Sequence, residues 1–310
     1  MRAQASAPAH SHQPNAQSLL PPSPSTARPW TGPALMLTSA LSNELGAASG
    51  ALAFGVIGPV GVVAVRQWIA AITLLITGRP RVRSFTWAQW WPVLLLAVTY
   101  GTMNLSLYTA VSRLGLGLAM TLEFLGPLSI ALASSRHGSS RHGSSRHRRD
   151  IGCAIVAAAG VAVLARPQPS TDYAGIGLGL AAAACWAGYI LLNREIGRRL
   201  PGTQGTAAAA GVSGLIYVPI GVIVLIRQPP TAAALALAAC AGIGSSVVPL
   251  VCDILALRRV PAGYFGVFMS VNPVFAALVG LVILGQSLPW ESWLSIAAIV
   301  GANLVTTTGR

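Results

Sequence analysis

The sequence predicts an all-α polytopic membrane protein, and three observations lead to that class. Apolar residues make up 54% of the 310 residues and charged residues only 9%, whereas a soluble protein carries about 25% charged residues. Apolar runs long enough to cross a hydrocarbon layer of about 30 Å recur from Pro33 to Thr308. The net charge of +13 comes from arginines that lie mostly in the short loops between these runs. That pattern is a topology signal and not a nucleic-acid-binding face, so no nucleic-acid partner is predicted.

The N-terminal stretch differs from the rest of the chain in composition. Residues 1–32 are rich in Pro, Ser, Ala and Gln. Such a segment cannot bury enough apolar surface to fold, so it is predicted to be a disordered cytoplasmic tail.

Ten membrane-spanning helices are predicted after it. They are placed at 33–54, 58–77, 91–111, 114–134, 150–165, 173–192, 206–226, 233–256, 263–284 and 291–308.

The loop arginines predict which side of the membrane each loop faces. If the N-terminus is cytoplasmic, thirteen arginines lie in cytoplasmic loops and three lie outside, namely Arg113, Arg166 and Arg227. Membrane proteins keep their positively charged loops in the cytoplasm, so both termini are predicted to be cytoplasmic. With nine or eleven helices, the arginine-rich and arginine-poor loops would no longer alternate between the two sides of the membrane.

The cytoplasmic loop 135–149 is unusual because Ser-Ser-Arg-His-Gly repeats through it. Its evenly spaced histidines raise the possibility of a metal or pH sensor. The loop has no thiol or carboxylate cluster, which favours simple repeat expansion. Its arginines would also attract anionic lipid headgroups.

The two halves of the chain resemble each other. A shift of 146 residues pairs Ala110 with Ala256, Arg113 with Arg259, Gly117 with Gly263 and Pro127 with Pro273. Each half would contain five of the ten predicted helices. Because five is an odd number, the second half would enter the membrane upside down relative to the first. We therefore predict two inverted five-helix repeats, 33–165 and 173–308. This architecture is typical of transporters, whose substrate site lies near the middle of the bilayer between the repeats.

Ionisable residues inside the apolar runs are candidates for a substrate path, because a charge in the membrane costs about 2.5–3.5 kcal/mol on insertion scales. The first candidate is Glu123, which lies four residues before Pro127. The residues predicted to bind substrate or couple an ion are Glu123, Arg66, Asn104, Tyr108, Glu44, Asp253 and Asn272, and the predicted helix kinks are Pro127, Pro249 and Pro273.

Several of these residues also have a structural interpretation. Arg66 would alternatively form a structural ion pair. Asp253 would pair at the surface with the nearby Arg258 or Arg259, and Asn104 would form a hydrogen bond between helices. Tyr108 would be a packing residue.

No motif in the sequence points to an enzyme or a metal site. There is no Walker loop, no H-E-x-x-H, no G-x-S-x-G and no histidine in any predicted membrane helix. The four cysteines form no C-x-x-C pair. We predict no catalytic residue, no metal and no cofactor, and any transport would run on a gradient, an exchange or downhill flow.

The stretch Leu122–Leu128, LEFLGPL, followed by Ser134-Ser135-Arg136, resembles the fourth-segment signature of the threonine/homoserine exporters. These belong to the EamA-type branch of the drug/metabolite transporter superfamily. The resemblance covers about 34–308. Other similar stretches are Val65-Arg66, Met103-Asn104, Ala184–Ile190, Pro249–Asp253 and Met269–Pro273.

The resemblance implies ten helices in two inverted repeats, a bacterial inner-membrane location and efflux of small neutral amino acids such as threonine and homoserine. The chain departs from the family pattern at two places. Asn272 stands where the family carries an acid before its proline, and the repeated Arg/His loop after Arg136 is foreign to the pattern.

We hypothesise an alternating-access exporter in which Arg66 attracts the carboxylate of its substrate. Glu123 would attract the ammonium group or carry a proton, which would allow proton antiport. Two alternatives stay open. The first is the same fold with another cargo, such as a drug, an aromatic metabolite or a nucleobase. The second is a non-transporting membrane scaffold or receptor. The sequence does not distinguish a monomer from a homodimer.

Overall fold

The computed structural model describes residues 31–130, 172–257 and 272–308, and the regular elements in these ranges are all helical. A single membrane crossing can comprise more than one of the helices, as the stretch Ala232–Cys252 does. The helices are α1 Thr31–Leu52, α2 Phe54–Gly78, α3 Trp87–Leu114, α4 Leu116–Glu123, α5 Tyr173–Arg199, α6 Gln204–Arg227, α7 Ala232–Gly242, α8 Val248–Leu257, α9 Asn272–Leu284 and α10 Trp290–Thr308. A π-helical turn, Ile243–Val247, joins α7 to α8.

Five helical stretches of the described ranges are long and apolar enough to cross a membrane. They are Phe54–Gly78, Trp87–Leu114, Tyr173–Arg199, Gln204–Arg227 and Ala232–Cys252. Many of their large apolar side chains are exposed, which is the surface expected to face lipid. Where the predicted membrane helices fall on described residues, those residues are helical except for Ala53, Gly115 and Phe124. The predicted helix 150–165, the loop 135–149 and nearly all of the predicted tail 1–32 lie outside the described residues.

The helix ends follow from local sequence. The side chains and backbones of Thr86 and Gln89 form a capping box at the start of α3, which satisfies two backbone N–H groups that have no partner inside the helix. Gly115 separates α3 from α4 with a φ of 83°, a conformation that glycine adopts without strain. The backbone N–H of Leu116 then donates to Oε1 of Gln286 at 2.9 Å, so a distant loop caps α4.

Packing arranges the first six helices and the π turn around one cavity. Helix α3 packs along α5, and α2 packs along α6. Helix α1 packs against α7, the π turn and α8, while α4 contacts α5 and α9. Small residues allow close approach, since a Cβ added at Gly46 would lie 2.6 Å from the backbone nitrogen of Ser245. This arrangement surrounds a cavity with side chains from both halves of the chain.

An ion pair joins the end of α3 to the start of α5. Nη1 of Arg113 lies 2.9 Å from Oδ2 of Asp172, and Oδ1 of Asp172 accepts a hydrogen bond of 2.8 Å from the backbone N–H of Gly175. The hydrogen bond from Gly175, and after it the one from Arg113, lower the pKa of Asp172 below its ordinary value. Because the folded pKa is lowered, this stabilisation is present at neutral pH and is lost as pH falls through the folded value.

We expect Asp172→Asn to lower the unfolding midpoint of the detergent-solubilised protein slightly at pH 7. Asparagine still caps α5, so the loss comes from the charge that faces Arg113. The difference from wild type should narrow as the pH falls below about 3.9, the ordinary pKa of an aspartate. Thermal unfolding measured over a pH series tests this. A difference that stays constant on acidification would contradict the assigned role of the charge.

Candidate functional site

A cavity of about 290 Å³ lies between α1–α6, the π turn and α8. This is close to the lower end of the roughly 300–1,000 Å³ that small-molecule sites occupy. One part of its wall is polar and another is aromatic. The polar lining residues are Asn43, Arg66, Thr73, Asn104, Glu123, Thr206, Ser245 and Ser246, and the aromatic ones are Tyr100, Trp186 and Tyr189.

Arg66 supplies the positive charge of the cavity. It lies midway along α2 and is 92% buried, being only 8% exposed. Its Nε donates to the hydroxyl of Ser246 at 3.3 Å, and its Nη2 donates to the carbonyl of Ser245 at 3.3 Å. The guanidinium also stacks on the ring of Tyr108, 5.1 Å from the ring centre. Among the described residues no carboxylate lies within 4.0 Å of it, so neutral groups hold this cation.

Glu123 supplies a carboxyl group to the same cavity. It is the last residue of α4 and is 5% exposed. Regular helix is interrupted after Glu123 and resumes over 125–130. Pro127 contributes to the break, because it has no N–H to donate to the Glu123 carbonyl. Within the described part of the chain its side chain forms no hydrogen bond or ion pair. It does interact electrostatically with Arg66 across the cavity.

Glu44 lies behind the wall and not in it. It is fully buried in α1, and its Oε1 accepts a hydrogen bond of 3.1 Å from Nδ2 of Asn43, which does line the cavity. Its Oε2 has no hydrogen-bond partner among the described residues. Both Glu123 and Arg66 interact with it electrostatically. Two carboxyl groups and one guanidinium therefore share this buried region.

The two predicted residues on α3, Asn104 and Tyr108, lie in different environments. Asn104 lines the cavity and is 1% exposed. Its Nδ2 donates to the carbonyl of Tyr100 at 2.9 Å. Tyr108 lies under Arg66 and packs edge-on against Phe54. It supports the guanidinium from below and is not a wall residue.

The remaining predicted residues lie away from the cavity, or their side chains lie outside the part of the chain that the structure describes. Asn272 begins α9, where it is buried but does not line the cavity that the described residues form. The side chain of Asp253 lies outside the described part, although its backbone belongs to α8. Pro249 follows the π turn, and Pro273 is the second residue of α9.

Most residues that line the cavity were not among the predicted ones, and Ser245, Tyr189 and Thr206 are three of them. Tyr189 pairs with Tyr100 at a ring distance of 6.0 Å, and nearby Trp186 packs edge-on against Phe124 at 4.8 Å. A sequence signal existed only for Ser245, which lies four residues before Pro249 within an apolar run. Tyr189 and Thr206 look like ordinary helix residues in sequence.

Comparison with known proteins places these features in a wider group. The model of the EamA-like transporter family matches residues 173–308. The threonine/homoserine exporter RhtA of Escherichia coli (strain K12) is 30% identical over 281 residues, which cover 90% of this chain and 92% of that protein. RhtA of Salmonella typhimurium (strain SL1344) is 30% identical over 279 residues, covering 89% and 91%.

The fold also has a counterpart among solved structures. A protein described only by the words "crystal structure of protein" aligns with a TM-score of 0.57 at 19% identity. The alignment covers 90% of this chain and 99% of that one. At this identity the likeness concerns the fold alone.

Proposed function

This chain belongs to the EamA-like transporter family, with RhtA-type exporters among its relatives, and we propose that it exports small neutral amino acids across the inner membrane. One observation carries the proposal. Among the described residues, the wall of one small cavity contains a guanidinium without a carboxylate partner, Arg66, and a carboxyl group without a cation partner, Glu123. A zwitterionic amino acid offers the complementary pair of charges.

Arg66 is suited to the carboxylate end of such a ligand. A buried charge is costly unless another charge or several hydrogen bonds compensate it. Here neutral serine oxygens take two of the five guanidinium N–H donors. The remaining donors can form the short, two-point hydrogen bonds that arginine makes with carboxylates. The ligand would thus complete the neutralisation of Arg66.

Glu123 would hold the ammonium end and link transport to protons. An ammonium group and a proton compete for the same carboxylate, so binding of one favours release of the other. Release of substrate outside followed by protonation of Glu123 would return the carrier inward with a proton. Each change of charge at Glu123 or Arg66 would alter the electrostatic environment of Glu44, since Glu44 interacts electrostatically with both. Proton antiport with alternating access follows from this exchange.

Contacts between loops support the proposed membrane topology. Arg113 and Asp172, which form an ion pair, both lie in loops predicted to face outward. Gln286, which caps α4 at Leu116, belongs to another predicted outer loop. On the predicted cytoplasmic side, Gln89 donates to the carbonyl of Arg199 at 3.1 Å. These pairs fit ten crossings in two inverted repeats with both termini in the cytoplasm.

The aromatic part of the wall favours one alternative cargo. Tyr100, Trp186 and Tyr189 would stack well on an aromatic side chain. An aromatic amino acid would keep the same charged ends at Arg66 and Glu123. The cavity volume favours the smaller cargo, and a competition panel separates the two.

We expect labelled threonine to accumulate by counterflow in proteoliposomes that contain the purified protein and are preloaded with unlabelled threonine or homoserine. An imposed pH gradient should change the initial rate, because a proton and substrate share Glu123. Unlabelled threonine and homoserine should compete better than phenylalanine. Absence of accumulation by folded, inserted protein would refute the amino-acid proposal, and stronger competition by phenylalanine would favour the aromatic cargo.

A further inference from the structure

Two backbone carbonyls of the π turn lack their usual helical donors. In an α-helix each carbonyl accepts from the N–H four residues later. The N–H of Val248 donates instead to the carbonyl of Ile243, so it is drawn away from Gly244. The residue four positions after Ser245 is Pro249, which has no N–H. The turn therefore presents the carbonyls of Gly244 and Ser245 to other helices.

Both carbonyls accept hydrogen bonds from side chains of the first repeat. The hydroxyl of Ser42 in α1 donates to the Gly244 carbonyl at 2.8 Å. Nη2 of Arg66 in α2 donates to the Ser245 carbonyl at 3.3 Å, and the Ser246 hydroxyl next to it accepts from Nε. The hydrogen bond between Arg66 and Ser245 joins residues that are 179 positions apart, about half the length of the chain.

We infer that Pro249 is a positioning residue whose missing N–H keeps the Ser245 carbonyl open for Arg66, so that the guanidinium presents its remaining donors to a ligand carboxylate. The inference rests on the proposed function and deepens it by naming the residue that positions Arg66 for the ligand carboxylate. Ser245 and Ser246 together occupy the Nε–Nη2 side of the guanidinium. Among the described residues, this leaves its Nη1–Nη2 end available for two-point binding. Neutral oxygens orient Arg66 without cancelling its charge.

Pro249→Ala supplies the absent donor and tests this directly. Alanine is the better helix former, so the variant is expected to fold. Its N–H would compete with Arg66 for the Ser245 carbonyl. Pro219→Ala is the matched control, because Pro219 also lies inside a helix, α6, but the residue four positions before it, Leu215, does not line the cavity. Ser246→Ala removes the second acceptor, and Ser246→Thr keeps a hydroxyl there.

The first readout compares inhibition of counterflow by threonine and by threonine amide, which lacks the carboxylate. In the wild-type protein, threonine should inhibit at concentrations roughly tenfold or more lower than threonine amide. This ratio is the change in affinity that one charge-assisted hydrogen bond brings. The ratio should fall towards one in Pro249→Ala and decrease in Ser246→Ala. It should stay at the wild-type value in Pro219→Ala, and Ser246→Thr should restore most of what Ser246→Ala loses. An unchanged ratio in Pro249→Ala would overturn the inference.

The second readout does not depend on the cargo. Phenylglyoxal modifies arginine, and mass spectrometry of the Arg66 peptide gives the rate at this site. Release of the Arg66 guanidinium from the serine oxygens should raise the rate of its modification several-fold in Pro249→Ala and Ser246→Ala but not in Pro219→Ala. Equal rates in Pro249→Ala and wild type would overturn the inference even if threonine is carried. A faster rate in protein that carries no threonine would uphold the role of Pro249 and refute only the amino-acid proposal.

Discussion

Glu123→Gln is expected to abolish proton-coupled efflux while leaving the protein folded and inserted. Glutamine has nearly the same shape, but it neither binds a proton reversibly nor attracts an ammonium group by charge. Loss of a hydrogen bond to a charged group costs about 1.5–3 kcal/mol, which corresponds to roughly 10- to 100-fold in apparent affinity. Loss of coupling adds to this loss of affinity. Counterflow of labelled threonine, with and without a pH gradient, measures both effects.

Glu291→Gln is the matched control for that experiment. Glu291 lies in the first turn of α10 and does not line the cavity, so the same chemical change there should leave counterflow and its pH dependence intact. Size-exclusion profiles and unfolding midpoints of both variants should match wild type. Wild-type transport by Glu123→Gln would remove Glu123 from the mechanism. It would favour the non-transporting scaffold only if transport itself were absent from wild type.

The positions of the helices and of the embedded charges follow from simple physical rules. Apolar runs longer than a bilayer is thick form helices because the lipid offers no other partner for backbone groups. A charge inside such a run is costly, so its presence already suggested a cavity for Arg66 and Glu123. The described structure places both in one wall. Their proximity could not be read from the sequence, because the contacts depend on how distant helices pack.

The environment of each tyrosine on α3 illustrates what the sequence leaves open. Tyr100 and Tyr108 are eight residues apart, which suggests a shared face. At 3.6 residues per turn, eight positions rotate the side chain by about 80°. Tyr100 accordingly reaches the cavity, whereas Tyr108 faces α2 and lies under Arg66. Only the rotation of α3 relative to its neighbours decides which tyrosine contacts a ligand.

The partner of Arg66 was likewise beyond reach of pattern reasoning. The alternatives considered from sequence were a substrate or an acidic residue. The structure instead pairs Arg66 with the carbonyl of Ser245 and the hydroxyl of Ser246. A π turn has no reliable sequence signature, although such turns are frequent at functional sites. The combination of a serine with a proline four residues later is the one local signal that the chain offered.

Gly46→Ala is expected to impair both stability and transport. A Cβ at this position would lie 2.6 Å from the backbone nitrogen of Ser245 and 2.8 Å from the carbonyl carbon of Gly244. Backbone atoms cannot swing aside as a flexible side chain does, so the π turn must move. Overpacking of this kind costs about 1–3 kcal/mol. The shift would also disturb the hydrogen bond of 2.8 Å from the Ser245 hydroxyl to the Asn43 carbonyl.

The effect on transport should exceed what the loss of stability explains, because the displaced turn is the one that orients Arg66. Gly55→Ala is the matched control, since a Cβ at Gly55 in α2 would meet no atom within 4 Å. Alanine there should be neutral or stabilise by about 0.4–1 kcal/mol through the unfolded state. Unfolding midpoints and counterflow rates at equal amounts of folded protein test both variants. A Gly46→Ala protein as stable and as active as Gly55→Ala would mean that α1 and the π turn separate easily, and that Arg66 does not need this packing to face its ligand.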